Sequence, residues 1–218
     1  MIPATALSKT PPPHALTVDA AADLAAIYDP DVQLVIWQRS HDAELRNYWQ
    51  CATEAGATSR RIVARDGALP EDLLPDLPGV ETAWSELRFV DQLFRDLCEV
   101  RTLGVRIECS QDRVCPRFHV DHVALRLLCT WKGPGSEWVD DAQVDRRFLG
   151  AGSRGLPDEQ SGLLRPGAKI WQIPEQAVAL CKGDAWAGNE RRGVVHRSPA
   201  VVPADGTRVL LALDLLEA

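Results

Sequence analysis

The sequence predicts an α+β protein, with helices in the first half and a small β-barrel or jelly roll in the second that holds a metal in its mouth. Three observations lead there. The second half alternates short apolar runs with polar or Gly-rich turns, the pattern of a barrel built from short strands. The first half carries longer stretches with apolar residues at helical spacing. Two histidines and an aspartate, His119, Asp121 and His196, fall in the order of a 2-His-1-carboxylate site, which grips Fe(II) on one face and leaves the other open.

Taken in order, residues 1–16 read as a disordered or extended lead-in, with Pro11-Pro12-Pro13 resisting regular structure. Residues 17–102 read as a helical N-terminal part. A helix is expected over 17–28, with Thr17 or Asp19 to cap it and Asp29-Pro30 to end it. A short strand follows at 32–37, then a helix over about 43–55 with Leu45, Trp49 and Ala52 near one face. Residues 60–64 suit a further strand. The strongest helix spans 84–100, where Leu87, Val90, Phe94, Leu97 and Cys98 form one stripe. These helices are expected to pack on the outside of the barrel.

Residues 103–218 form the expected metal-binding core, and the whole reads as one compact domain. Strands are expected at 103–109, 123–131, 177–181, 193–196 and 207–214, the last after a turn at Ala204-Asp205-Gly206. The Gly- and Pro-rich stretch from 150 to 167 reads as a long loop near the mouth of the site.

The spacing within His119-Val120-Asp121 carries physical meaning. On a strand or its end, residues i and i+2 point the same way, so the imidazole and the carboxylate can converge on one ion. His196 supplies the third donor from a separate strand. His122 points away if the strand continues; a turn at Asp121-His122 would bring it in and permit a four-ligand zinc site. Cys115, four residues before His119 in a polar stretch, is the one thiol placed to approach a metal. Arg126 lies in an apolar run, where an unpaired guanidinium is costly; it has a carboxylate partner, faces water or binds an anionic ligand. Arg197 and Ser198, directly after His196, and Trp186 are expected near the pocket.

Composition narrows the function. A net charge of −7 argues against a nucleic-acid partner, which needs clustered Lys and Arg. No apolar run approaches the ~20 residues of a membrane span. The first 13 residues lack the apolar core of a secretory signal, so a cytoplasmic location with reduced thiols is expected. No two of Cys51, Cys98, Cys109, Cys115, Cys129 and Cys181 make a C-x-x-C pair; Cys98, Cys129 and Cys181 sit in apolar runs and read as small core residues.

Residues from about 103 to 215 resemble the double-stranded β-helix of the iron(II)- and 2-oxoglutarate-dependent oxygenases, especially the prolyl-hydroxylase-like branch. The pieces that carry the resemblance are His119 and Asp121, then Arg126 with Gly133-Pro134-Gly135, then Gly183-Asp184, His196 and Arg208. The resemblance implies that His119, Asp121 and His196 hold Fe(II). It further implies that Arg208, with Arg126, binds the 2-oxoglutarate co-substrate. Those oxygenases often place a Tyr on the strand before H-x-D, where this chain has Ile107, Glu108 and Cys109.

The whole chain also resembles a family of uncharacterised bacterial proteins, catalogued as a domain of unknown function. Its signatures are the segments Cys115 to His122, Gly133 to Trp138 and Lys182 to Glu190. Members tend to be encoded near zinc-responsive metallochaperone GTPases, which implies a functional link to such a GTPase. Two functions follow. One is a dioxygenase that hydroxylates a small-molecule or protein substrate. The alternative is a zinc-binding accessory protein in metal homeostasis, using the same donors for Zn(II) without turnover.

Overall fold

The structure, a computed structural model, describes residues 14–201 and 206–216. Most of the expected lead-in and part of the turn before the last strand lie outside the described residues. Ten strands and two α-helices follow in the order β1 (Ala15–Val18), β2 (Leu34–Trp37), α1 (Ala43–Glu54), β3 (Arg60–Arg65), α2 (Val80–Cys98), β4 (Thr102–Ser110), β5 (Leu125–Lys132), β6 (Glu137–Val139), β7 (Ile170–Gln172), β8 (Val178–Lys182), β9 (Val195–Arg197) and β10 (Arg208–Leu215). The protein is a mixed α+β fold with one large sheet, β1-β2-β8-β5-β10-β4-β3, and a small one, β7-β6-β9.

The large sheet is sandwiched, and strand alternation shows how. Along β5, Leu127, Cys129 and Trp131 face the two helices, while Leu128 faces the small sheet. Along β10, Val209, Leu211 and Leu213 take the helix side and Leu210 and Ala212 the other. From α1, Trp49 stacks on Trp131 with ring centroids 5.2 Å apart. From α2, Leu87, Val90 and Phe94 fill the same layer. On the opposite face Trp138 of β6 packs against Leu128, Leu210 and Ala212. Arg106 and Glu108, whose neighbours Val105 and Ile107 point to the helices, must therefore emerge between the two sheets.

Several elements differ from expectation. The helix at 17–28 is a strand followed by a 3₁₀ helix, Ala21–Tyr28. Leu16, Thr17 and Val18 pair in parallel with Val35, Ile36 and Trp37, and sheet pairing outcompetes the helix there. Neither Thr17 nor Asp19 caps it; the residue before the 3₁₀ helix is Ala20, with no side-chain cap. Helix α1 is capped by Asp42, whose carboxylate accepts from Glu44 N and Leu45 N. Helix α2 begins a turn earlier than its apolar stripe, after Gly79. The strands β1, β2 and β3, all before residue 102, belong to the same sheet as β4, β5, β8 and β10. The three-residue strands β6 and β7 were not expected at all. The 150–167 stretch is a loop with one short 3₁₀ turn, Gly150–Ser153. No helix among the described residues is long and apolar enough to cross a membrane.

Candidate metal centre

His119 and His196 sit opposite one another in an antiparallel bridge. His119 N donates to His196 O at 2.9 Å and His196 N to His119 O at 3.0 Å, which adds the His119 segment to the small sheet beside β9. After this bridge the chain leaves the strand, and Asp121 turns back toward both rings. Donor atoms of His119, Asp121 and His196 all lie within 4.8 Å of one another.

Two glycines make the turn at Asp121 feasible. A Cβ on Gly183 would lie 2.0 Å from Val123 O and 2.6 Å from Asp121 O. A Cβ on Gly193 would lie 2.4 Å from Val120 Cγ1. With no side chain at 183, Gly183 N donates to Ala124 O and Asp184 N to Asp121 O, both at 3.0 Å. The Lys182-Gly183-Asp184 element is thus a backbone clamp on the loop that carries Asp121.

Hydrogen bonds orient both rings. His119 Nδ1 is 2.9 Å from Arg117 O, and His196 Nδ1 is 3.0 Å from Val194 O. A carbonyl only accepts, so each Nδ1 carries its proton and each Nε2 faces the pocket. His196 Nε2 lies 3.3 Å from Asp121 Oδ2 and His119 Nε2 lies 3.7 Å from Asp121 Oδ1. Asp121 Oδ2 is buried and has no hydrogen-bond partner of good geometry. Lone pairs facing one another at these distances call for a cation between them, either protons or a metal ion. Burial, with help from neighbouring His196, holds the His119 pKa below its ordinary value, which favours the neutral ligand form. For Asp121, burial works upward, yet His196, Arg126 and His119 outweigh it and hold the carboxyl well below the usual carboxylate range. The donor set therefore fits a divalent ion such as Fe(II) or Zn(II).

Arg126 resolves its sequence alternatives by taking carboxylate partners. Its Nη1 pairs with Asp121 Oδ1, while Nε and Nη2 reach Asp214, the latter at 3.0 Å. That fork is filled, so Arg126 fixes Asp121 rather than presenting a free cation to a co-substrate. Arg208 is buried. Its Nε donates to Pro134 O at 2.7 Å, and its Nη2 to Ser136 Oγ at 3.1 Å and Thr130 Oγ1 at 3.3 Å. Nη1 has only Glu108 Oε1, 3.8 Å away. Burial lowers its pKa to about 10, which still leaves a cation at neutral pH.

A cavity of about 310 Å³ opens between the sheets, bordered by the three donors, Arg126, Ser136 and Glu108. Other expected residues reach it unequally. Cys115, His122, Arg197 and Ser198 line it, but none joins the group of close donors. His122 and Cys115 are exposed as residues, though partial burial of the Cys115 sulfur, together with the charge of Glu108, pushes its pKa up, away from the thiolate. Arg197 is held by Glu137 at 2.7 Å and by Asp158 and Glu159 at 3.0 Å. Asp158 also accepts from Phe118 N at 2.9 Å, so the 150–167 loop braces the segment before His119. Trp186 is not in the pocket. Its ring packs on Tyr28, 5.5 Å between centroids, on the helix side of the large sheet.

Residues the sequence reading passed over include Arg106, Glu108, Ser136 and Asp214. The alternation of Leu103, Val105 and Ile107 with Gly104, Arg106 and Glu108 was the available signal for the first two. Asp214 had none, lying far along the chain from Arg126.

A mixed α+β fold with three converging donors between its sheets defines the class: an α+β protein with a candidate metal centre. Residues 18–214 match the family DUF1826, "protein of unknown function", and the chain belongs to that family. No curated protein sequence matches the chain. Among solved structures, it is similar to the dioxygenase for auxin oxidation 1 of Arabidopsis thaliana in its binary complex with 2-oxoglutarate, at 13% identity and a TM-score of 0.50, covering 94% of this chain and 92% of that one. The rice dioxygenase for auxin oxidation (15% identity, TM-score 0.49, 93% and 82% covered) is also similar. So is a Pseudomonas putida prolyl-4-hydroxylase (8% identity, TM-score 0.46, 91% and 98% covered). At these identities the likeness to the Arabidopsis enzyme is one of fold.

Proposed function

We propose that the protein is an iron(II)- and 2-oxoglutarate-dependent dioxygenase that hydroxylates a small-molecule or protein substrate. The observation that carries this reading is the trio His119, Asp121 and His196, with both Nε2 atoms and an unpartnered carboxylate oxygen turned onto one point. In this reading β4, the His119 segment, β5, β6, β7, β8, β9 and β10 are the eight strands of a double-stranded β-helix. They alternate between the large and small sheets except that β6 and β7, both in the small sheet, follow one another.

Iron(II) with 2-oxoglutarate, when bound, supplies the O₂-dependent oxidation of a C–H bond. The chain's own residues do the rest. His119, Asp121 and His196 hold the metal from one side, and Arg126 keeps Asp121 in place. Arg208, a buried cation with one poorly occupied nitrogen, receives the distal carboxylate of 2-oxoglutarate in a charge-assisted pair. Glu108 is the internal carboxylate with which that ligand competes. Leu128 and Leu210 form an apolar wall that limits water in the pocket.

Zinc held by the same donors in an accessory role, functionally linked to a metallochaperone GTPase, is the alternative. A closed zinc site needs a fourth protein donor. Among the described residues only three converge, with His122 and Cys115 outside the group, which favours an open site. Anaerobic titration of the Fe(II)-loaded protein with 2-oxoglutarate tests the proposal. A weak visible charge-transfer band is expected; its absence at saturating ligand would rule out the co-substrate.

A further inference from the structure

Arg106, Arg126 and Arg197 line the cavity, whereas buried Arg208 is not among its lining residues, and the partners of these four arginines are unequal. Arg126 is held by Asp121 and Asp214, and Arg197 by Glu137, Asp158 and Glu159. Arg208 has Pro134, Thr130, Ser136 and, more distantly, Glu108. Arg106 lines the same cavity with no such support. Its Nε is buried and has no hydrogen-bond partner, and among the described residues its guanidinium makes no ion pair. A polar donor withdrawn from water without a partner is costly, so its persistence in a pocket points to a ligand that completes it.

The backbone position of Arg106 differs from that of the co-substrate anchor, although the two charges are near enough to feel each other. Arg208 pairs with Ser110 in the β4–β10 register, whereas Arg106 pairs with Ala212. Four residues of strand, roughly 13 Å at ~3.3 Å each, lie between their backbone levels. Glu108 falls between them, its carboxylate turned to Arg208. The direct neighbours of Arg106 across the sheet are the small Ala212 on β10 and a second cation, Arg61, on β3. The planar fork of a guanidinium matches a carboxylate, and a cavity of about 310 Å³ suits a small molecule.

We propose that Arg106 anchors a carboxylate of the substrate, so that the protein acts on a small carboxylic acid held apart from the carboxylate at Arg208. The substrate class rests on the oxygenase reading, but the anion site itself can be measured without iron. Isothermal titration of the metal-free, full-length protein with phenylacetate and with its neutral analogue phenylacetamide provides the test. The wild type should prefer the acid by tenfold or more. Arg106→Met should lose that preference, Arg106→Lys should keep part of it, and Arg208→Met should retain it in full. Thermal melts check that each variant is folded.

Equal affinity of the wild type for acid and amide would overturn the proposal. So would an Arg106→Met protein that still prefers the acid. If that same variant also lost 2-oxoglutarate, Arg106 would be assigned to the co-substrate. Failure of the oxygenase reading looks different: no charge-transfer band with Fe(II) and 2-oxoglutarate, while the carboxylate preference at Arg106 persists.

Discussion

His119 and His196 bond to each other through their backbones before either is considered as a metal donor. Each N–H donates to the other's carbonyl, at 2.9 and 3.0 Å, and the ring centroids come to rest 4.6 Å apart. The geometry of the pair is therefore set by a β-bridge, which is stiffer than two side chains meeting from independent loops. Asp121 alone depends on a loop, and the clamp at Gly183 supplies the missing stiffness.

The clamp is open to a direct test. Gly183→Ala places a methyl group against Val123 O and Asp121 O, and one of them must move. The expected cost is about 1–3 kcal/mol of stability, with metal affinity falling further than stability because Asp121 is displaced. Urea denaturation and metal titration on the same preparation separate the two effects. Unchanged metal affinity would mean that the loop adjusts elsewhere.

Arg126→Met leaves two carboxylates, Asp121 and Asp214, facing a site that has lost its cation. Breaking a largely buried pair in this way should destabilise the metal-free protein by about 3 kcal/mol. Metal affinity should fall roughly 10–100-fold, as expected when the group that orients a ligand is removed. Calorimetry of the metal-free and metal-loaded forms measures both.

Arg208 and Glu108 give opposite expectations for the co-substrate. Arg208→Met should retain metal and lose about 1.5–3 kcal/mol of 2-oxoglutarate binding. Glu108→Gln removes the competing carboxylate 3.8 Å from Arg208 Nη1 and should tighten 2-oxoglutarate roughly tenfold. Titration under anaerobic conditions with Fe(II) reads both. Weaker binding in Glu108→Gln would show that Glu108 holds Arg208 in its working position instead of competing for it.

The pH dependence of metal binding follows from two shifts in the same direction. Asp121, held below the carboxylate range, stays ionised through mild acid. His119, held below its ordinary value of 6.5, keeps its neutral form favoured down to and past that value. Because each folded pKa is depressed, the ligand-ready state is complete above the unfolded value. It is lost only as pH falls through the folded one. The contributions of Asp121 and His119 to metal affinity should thus persist at pH 6.5 and be lost below it. A decline centred well above pH 6.5 in a metal titration from pH 8 to 5 would contradict this.

The grouping of His119, Asp121 and His196 was legible in the sequence because its cues are local: His119 and Asp121 stand two apart, and His196 ends a recognisable apolar run. The strands β4, β5, β8 and β10 were legible for the same reason, being continuous apolar or alternating stretches bounded by turns. What was not legible depends on contacts between distant positions. The Asp214 partner of Arg126, the Asp158 brace under Phe118 and the backbone bridge between His119 and His196 leave no mark on neighbouring residues. Strands β6 and β7 are three residues each, too short for a period to register. At Thr17 and Val18, where a helix is expected, parallel pairing with β2 decides the conformation instead of local preference.

The central claim is that one metal ion is held by His119, Asp121 and His196 alone. A crystal structure of the protein grown with Mn(II) as a redox-silent substitute for iron tests it most directly. The account predicts a single ion within coordination distance of Nε2 of both histidines and a carboxylate oxygen of Asp121, with its remaining positions facing the cavity and His122 and Cys115 away from it. An ion bound elsewhere, or one closed off by His122 or Cys115 as a fourth protein ligand, would contradict it.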